Sequence, residues 1–104
     1  MMDSVEAGWI LGGLKSKTTV QRIEAIHMGV VTRWGFLKKS VPFGNRNDHW
    51  QAVVSQMQSG DEFWEYDYTN KWGTKRGYAL IRKGQIIGSY RTYAVHYSPA
   101  DEGL

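Results

Sequence analysis

The dipeptide Lys83-Gly84 joins two runs rich in β-forming residues, and it constrains the fold more than any other feature of the sequence. Glycine adopts positive φ at no steric cost, which a tight two-residue turn requires. The flanking runs therefore predict an antiparallel hairpin with Leu80 opposite Ile87. Because side chains on both faces are apolar near the turn, the two faces cannot both lie in water. We expect a helix to cover one side and N-terminal elements, or a second subunit, to cover the other.

An amphipathic helix and an alternating strand precede this hairpin. Apolar residues recur at helical spacing before Gly60, which predicts a helix over about 48–58 with one apolar stripe; the stripe consists of Trp50, Val53, Val54 and Met57. From Glu62 to Tyr68 large side chains alternate with charged ones, which is typical of a strand. The stripe is most economically buried against the sheet that this strand and the hairpin form.

These patterns predict an α+β fold, with an antiparallel sheet of three or four strands, an amphipathic helix on one face and N-terminal helical segments. The sheet contains strands at about 62–68, 78–83 and 85–95. A possible capping box at Thr18 and Gln21 predicts a further helix over about 19–28, and residues 30–39 are rich in β-branched and aromatic side chains, which favours one strand.

The length of 104 residues predicts a single domain, 1–104, with residues 48–97 as its helix and three-stranded core. Gly8, Gly12 and Gly13 weaken any helix near the N-terminus, so we interpret residues 1–17 as a flexible or peripheral segment.

The composition excludes several classes of site. The chain has no cysteine, so it has no disulfide, thiolate zinc site or thiol nucleophile, and a reducing compartment is expected. The longest apolar run, 7–14, is too short to span a membrane, and the acidic residues before it do not fit a signal peptide. We therefore expect a cytoplasmic protein.

Charge is strongly segregated along the chain. Four carboxylates lie between residues 61 and 67, whereas residues 68–97 contain six Lys and Arg and no acid. This pattern favours a basic face for an anionic partner, although pairing of the two blocks across neighbouring strands is an alternative. The predicted partner-binding residues are Lys71, Trp72, Lys75, Arg76, Arg82, Lys83 and Arg91.

We therefore predict a small non-enzymatic binding protein, without cofactor or metal, that engages nucleic acid or an acidic protein surface. Bases stack on strand aromatics between basic residues, and the aromatic candidates are Trp64, Tyr66, Tyr68, Trp72, Tyr90 and Tyr93. A metal site would need Glu62, Glu65 and Asp67 with His49 or His96, but alternation along the strand separates these carboxylates.

Two other functions remain open. The first is a metal-independent ribonuclease of the bacterial toxin type, which needs an acid-base pair beside cations that stabilise the phosphorane; its candidate residues are Glu65, Arg82, Arg91, His96 and Tyr97. The second is a phage-encoded inhibitor or immunity-type interaction module. Trp, Tyr and Arg dominate binding hot spots, and its candidate anchors are Trp9, Trp34 and Trp72.

The segment from Trp50 to Thr92 resembles a pattern found in small bacterial and phage proteins of unknown function. The resemblance is carried by GDEFWEY at 60–66, by Trp72 in the loop that follows, and by RGYALIRKGQII at 76–87. The N-terminal half and the short loop 72–77 depart from the pattern. The resemblance implies the order helix, strand, loop and hairpin. It implies no activity and no catalytic residues.

Overall fold

The computed structural model describes residues 4–33, 35 and 37–97 and has the predicted α+β class. Within these described residues, three helices and a short 3-10 helix are interspersed with six strands. In chain order the elements are α1 (Ser4–Gly12), β1 (Leu14–Thr18), α2 (Val20–Ile26), β2 (Met28–Arg33), β3 (Leu37–Pro42), the 3-10 helix (Gly44–Arg46), α3 (Asn47–Val54), β4 (Glu62–Asn70), β5 (Gly73–Arg82) and β6 (Gln85–His96).

A four-stranded antiparallel sheet in the order β1-β4-β5-β6 forms the centre of the fold. The strands predicted at 62–68, 78–83 and 85–95 are confirmed as β4, β5 and β6. Lys83 and Gly84 form the predicted tight turn with φ of 51° and 78°. Positive φ at both central residues matches the right-handed twist of the flanking strands.

Both faces of the sheet are covered by elements of the same chain. On one face, Trp50 and Val53 of α3 and Ile23 of α2 pack against Phe63 and Leu80. On the other face, Ile10 of α1 packs against Tyr66, Ala79 and Ile81. Near the hairpin turn both faces are therefore covered, as predicted: the amphipathic helix α3, together with α2, covers one face, and the N-terminal helix α1 covers the other.

The N-terminal helix docks through one buried side chain and a close backbone approach. Ile10 is 0% exposed despite the glycines around it. A Cβ on Gly13 would lie 2.8 Å from the Asp67 carbonyl oxygen, and the Asp67 N–H donates to the Gly13 carbonyl at 2.9 Å. Glycine thus lets the chain pass from α1 into edge strand β1. Within the described residues, no helix has the length and apolar character of a membrane span.

The single strand predicted over 30–39 is wrong. Residues 28–33 and 37–42 instead form two strands of a separate sheet, in which β2 pairs antiparallel with β3, for example Val30 opposite Ser40. Gly35 between the strands has φ of 76°. This left-handed conformation suits glycine and allows the chain to reverse direction. The sequence pattern was continuous across this turn, so it predicted one strand where there are two.

Two predicted helix boundaries are also wrong. The N-cap of α2 is Thr19, not Thr18, and its side chain accepts the Arg22 N–H. Helix α3 ends at Val54, not near 58. Beyond it, the Asp61 carboxylate accepts the Gln58 N–H and the Arg82 guanidinium donates to the Gln56 carbonyl, so these groups stabilise a turn instead of another helical turn.

The structure also changes the β4–β5 connection and the β6 register. Residues 73–77, predicted as a loop between strands, belong to β5, which pairs with β4 up to Asn70 opposite Gly73. A register shift places Gly88, not Ile87, opposite Leu80, although Ile81 lies opposite Ile86. Such a bulge inserts one residue into a strand and bends it locally.

Candidate functional site

The turn between β4 and β5 holds Trp72 in an exposed position. The Asn70 Oδ1 atom accepts the Trp72 N–H at 2.8 Å, and the Tyr97 N–H donates to the Trp72 carbonyl at 2.9 Å. Gly73 follows with φ of 152°, where a Cβ would collide with the Val95 carbonyl oxygen. The main chain is thus fixed on both sides of Trp72, whose side chain is 53% exposed.

Helix α1 and strand β4 supply the other walls of a small cavity beside this turn. The Trp9 ring centroid lies 5.6 Å from that of Trp72 and 5.9 Å from that of Tyr68, with interplanar angles of 44° and 36°. The three tilted rings line one side of an open cavity of about 150 Å³. We call this cavity the aromatic pocket; Trp9, Tyr68, Asn70, Trp72, Gly73, Lys75 and His96 line it.

The charge around the aromatic pocket is positive. The Lys71 Nζ atom lies 4.8 Å from the centroid of the Trp72 ring, and Lys75 lies opposite Tyr68 on the neighbouring strand. Arg91 is opposite Gly77 and therefore on the same sheet face as Lys75. Among the described residues, none of these three cations forms an ion pair. A phosphate approaching the pocket would thus meet unneutralised cations.

Tyr68 has a buried hydroxyl with no hydrogen-bond partner in the described part of the chain. Burial raises the pKa of this phenol, the Glu6 carboxylate raises it further, and Arg91 acts in the opposite direction. The phenol is therefore neutral at physiological pH. Its contribution to the pocket wall is the aromatic ring, which also stacks on Tyr66 at 6.0 Å.

The predicted binding residues do not form one continuous face. Lys71, Trp72, Lys75 and Arg91 lie at or beside the aromatic pocket. Arg76 alternates to the opposite sheet face, where its guanidinium is 3.1 Å from the Asp67 carboxylate and 5.0 Å from the Tyr93 ring centroid. Arg76 therefore follows the alternative interpretation, in which the acidic and basic blocks pair across neighbouring strands.

Arg82 and Lys83 lie at the far end of the hairpin. The Arg82 guanidinium forms a bidentate pair with Asp61, with distances of 2.9 and 2.8 Å. This pairing lowers the pKa of the Asp61 carboxyl and raises that of Arg82. Arg82 is nine positions after Gly73 in β5. At a rise of about 3.3 Å per residue, this end of the strand is about 30 Å from the pocket.

The ribonuclease candidates are likewise not brought together. His96 lines the aromatic pocket and Tyr97 follows it, but Arg82 is at the opposite end of the sheet. Glu65 lies opposite Tyr78 and accepts a long hydrogen bond from the Ser16 hydroxyl at 3.5 Å. Its side chain therefore belongs to the sheet face that carries Phe63 and Leu80, whereas Arg91 is on the other face.

Several aromatic candidates are unavailable for stacking on a ligand. Tyr66 and Tyr90 are 2% and 4% exposed and belong to the two cores. Burial raises the pKa of Tyr66 to about 12. Tyr93 is exposed but lies under Arg76. Trp64 is partly buried, and its indole N–H donates to Glu62 at 3.2 Å. Trp34 is outside the described residues.

Metal-binding side chains do not converge within the described residues: no group of three or more His, Asp or Glu could hold an ion. Glu62 is instead paired with Lys17 at 2.7 Å, and this contact lowers the pKa of the Glu62 carboxyl. The carboxylates of β4 therefore have partners on neighbouring strands.

Sequence reasoning missed Asn70 and did not place Trp9 beside Trp72. The tetrapeptide Asn70-Lys71-Trp72-Gly73 contains a usable signal, because Asn often bonds to the backbone two residues on and Gly suits tight turns. No local pattern could bring Trp9 to this turn, because its position depends on the docking of α1 across the sheet.

The chain matches no protein-family model, and no curated protein or solved structure shows significant similarity to it. The aromatic pocket is therefore interpreted from its own geometry.

Proposed function

We propose that the protein is a non-enzymatic binding protein that holds single-stranded nucleic acid at the aromatic pocket. The observation that carries the proposal is the juxtaposition of Trp9, Tyr68 and Trp72 with cations that have no acidic partner among the described residues. Aromatic rings bind bases by stacking, and neighbouring Lys and Arg bind the backbone phosphates. The aromatic walls favour this ligand over an acidic protein surface, which would need only the charges.

The proposal depends on fewer residues than the charge pattern alone suggests. Lys71, Lys75 and Arg91 are the cations available to phosphates, whereas Arg76 and Arg82 are paired with carboxylates. A single strand is favoured over a duplex because an unstacked base can enter a pocket, whereas a base within a duplex must first be flipped out.

A salt titration of binding tests the proposal. The fluorescence anisotropy of a labelled mixed-sequence oligonucleotide is measured at increasing salt concentration. Single strands give a slope of about −0.7 per phosphate contacted, so three cations predict a slope of about −2 for log affinity against log salt. Absence of binding, or affinity that does not change with salt, would contradict the proposal.

Matched variants locate the binding site. We expect Trp72→Ala to weaken binding about tenfold or more, because it removes a stacking surface. Lys75→Ala should weaken binding and reduce the salt slope by about 0.7. Lys83→Ala removes the same charge at the distant turn and should leave both quantities unchanged. If Lys83→Ala weakens binding as much as Lys75→Ala, the site lies elsewhere.

A further inference from the structure

The size of the aromatic pocket restricts what can enter it. Its volume is about 150 Å³. Cavities of this size hold a single six-membered aromatic ring such as benzene. A pyrimidine has one such ring, whereas a purine has a second, fused ring. The volume therefore favours a pyrimidine as the base that enters the pocket beside Trp9 and Trp72.

The polar groups that line the pocket are rich in hydrogen-bond donors. Because the Asn70 Oδ1 atom accepts the Trp72 N–H, the amide of Asn70 has its NH₂ group left for a ligand. Lys75 can only donate, and so can the indole N–H groups of Trp9 and Trp72. Tyr68 and His96 can both donate and accept. Among the described residues, no carboxylate lines the pocket. The donors of Asn70 and Lys75 therefore favour a ligand edge that presents acceptors, such as carbonyl oxygens.

We propose that the aromatic pocket binds one unstacked pyrimidine that carries carbonyl oxygens at C2 and C4, that is, uracil or thymine. This inference rests on the proposed function. Both oxygens accept from Asn70 and Lys75, while the 4-amino group of cytosine and the 6-amino group of adenine would oppose these donors. A hydrogen-bond donor that faces another donor weakens binding, and such unfavourable pairs are a common source of discrimination between similar ligands.

Homopolymers of equal length provide the test. Dissociation constants are measured by anisotropy for oligouridylate, oligothymidylate, oligocytidylate and oligoadenylate with the full chain. We expect the uridylate or the thymidylate to bind about tenfold more tightly than the adenylate, with the cytidylate between them. Comparison of uridylate with thymidylate identifies whether RNA or DNA supplies the base. Equal affinity for all four, or tighter binding of the adenylate, would overturn the inference.

A single substitution isolates the role of the Asn70 amide. Asn70→Asp keeps an oxygen that can accept the Trp72 N–H but removes the NH₂ donors. Its added negative charge weakens the binding of all four oligonucleotides. The readout is therefore the ratio of the cytidylate dissociation constant to the uridylate dissociation constant. This ratio should fall to about one, whereas Lys83→Ala should leave it unchanged. If the ratio is unaltered in Asn70→Asp, the inference is overturned but the proposed function survives. If the unmodified protein binds none of the four oligonucleotides, both are overturned.

Discussion

His27 is a partly buried titratable residue in the core that lies beneath α2 and α3. Its Nε2 atom is 2.7 Å from the Tyr78 hydroxyl, and its ring stacks on Phe43 with a centroid distance of 4.7 Å. Burial lowers the pKa of His27, and the more weakly acting Glu65 carboxylate opposes this effect. The folded state therefore favours the neutral imidazole.

This pKa shift predicts that the protein loses stability in mild acid. The unfolded chain binds a proton at His27 near pH 6.5 and the folded chain only at lower pH, so the free energy of unfolding falls as pH decreases through that interval. Urea denaturation at several pH values measures the slope. His27→Gln should reduce it, whereas His49→Gln, at an exposed position on α3, serves as the control. An unchanged slope in His27→Gln would show that the imidazole is not involved.

At the scale of elements, β5 and β6 pack closely together at a register shift. The shift lies between Arg76 and Gly77. A Cβ on Gly77 would collide with the Tyr90 carbonyl oxygen and lie 2.9 Å from the Tyr66 hydroxyl. Glycine therefore permits the bulge that places Arg91, rather than Thr92, opposite position 77.

Two glycine substitutions should have opposite effects on stability. Gly77→Ala should lower the free energy of unfolding by about 1–3 kcal/mol, because backbone and the buried Tyr66 must shift. Gly8→Ala, in α1, places a methyl group in open space. It should raise the free energy of unfolding by about 0.5–1 kcal/mol through improved helix propensity. Chemical denaturation of both variants measures the difference. A stabilising Gly77→Ala would contradict the close packing of β5 and β6.

Local patterns predicted the elements whose structure depends on local chemistry. The turn at Lys83-Gly84 and the helix that carries Trp50 are examples. The predicted end of α3 was wrong because the actual end depends on Arg82, which is distant in sequence and donates to the Gln56 carbonyl. For the candidate site, sequence reasoning predicted Lys71, Trp72 and Lys75 as binding residues, and the structure places all three at or beside the aromatic pocket. It could not show that Arg76 is paired, because that depends on its register against Asp67.

At the scale of the whole molecule, the two ends of the β5–β6 hairpin differ in charge balance. At the Lys83-Gly84 end, Arg82 and Asp61 neutralise each other, and the Asp61 side chain is 2% exposed. At the other end, Lys71 and Lys75 lie beside the aromatic pocket and have no acidic partner within the described residues. The binding surface that we propose is therefore the β4–β5 turn rather than a whole sheet face.

The most direct measurement of ligand docking follows the tryptophan indole N–H signals by two-dimensional NMR during titration with oligouridylate. Single Trp→Phe variants assign the signals. We expect the largest shifts for Trp9 and Trp72, and almost none for Trp50, which is buried and donates to Glu24 at 2.8 Å. If the Trp9 and Trp72 signals stay in place while the oligonucleotide is bound, the aromatic pocket is not the binding site.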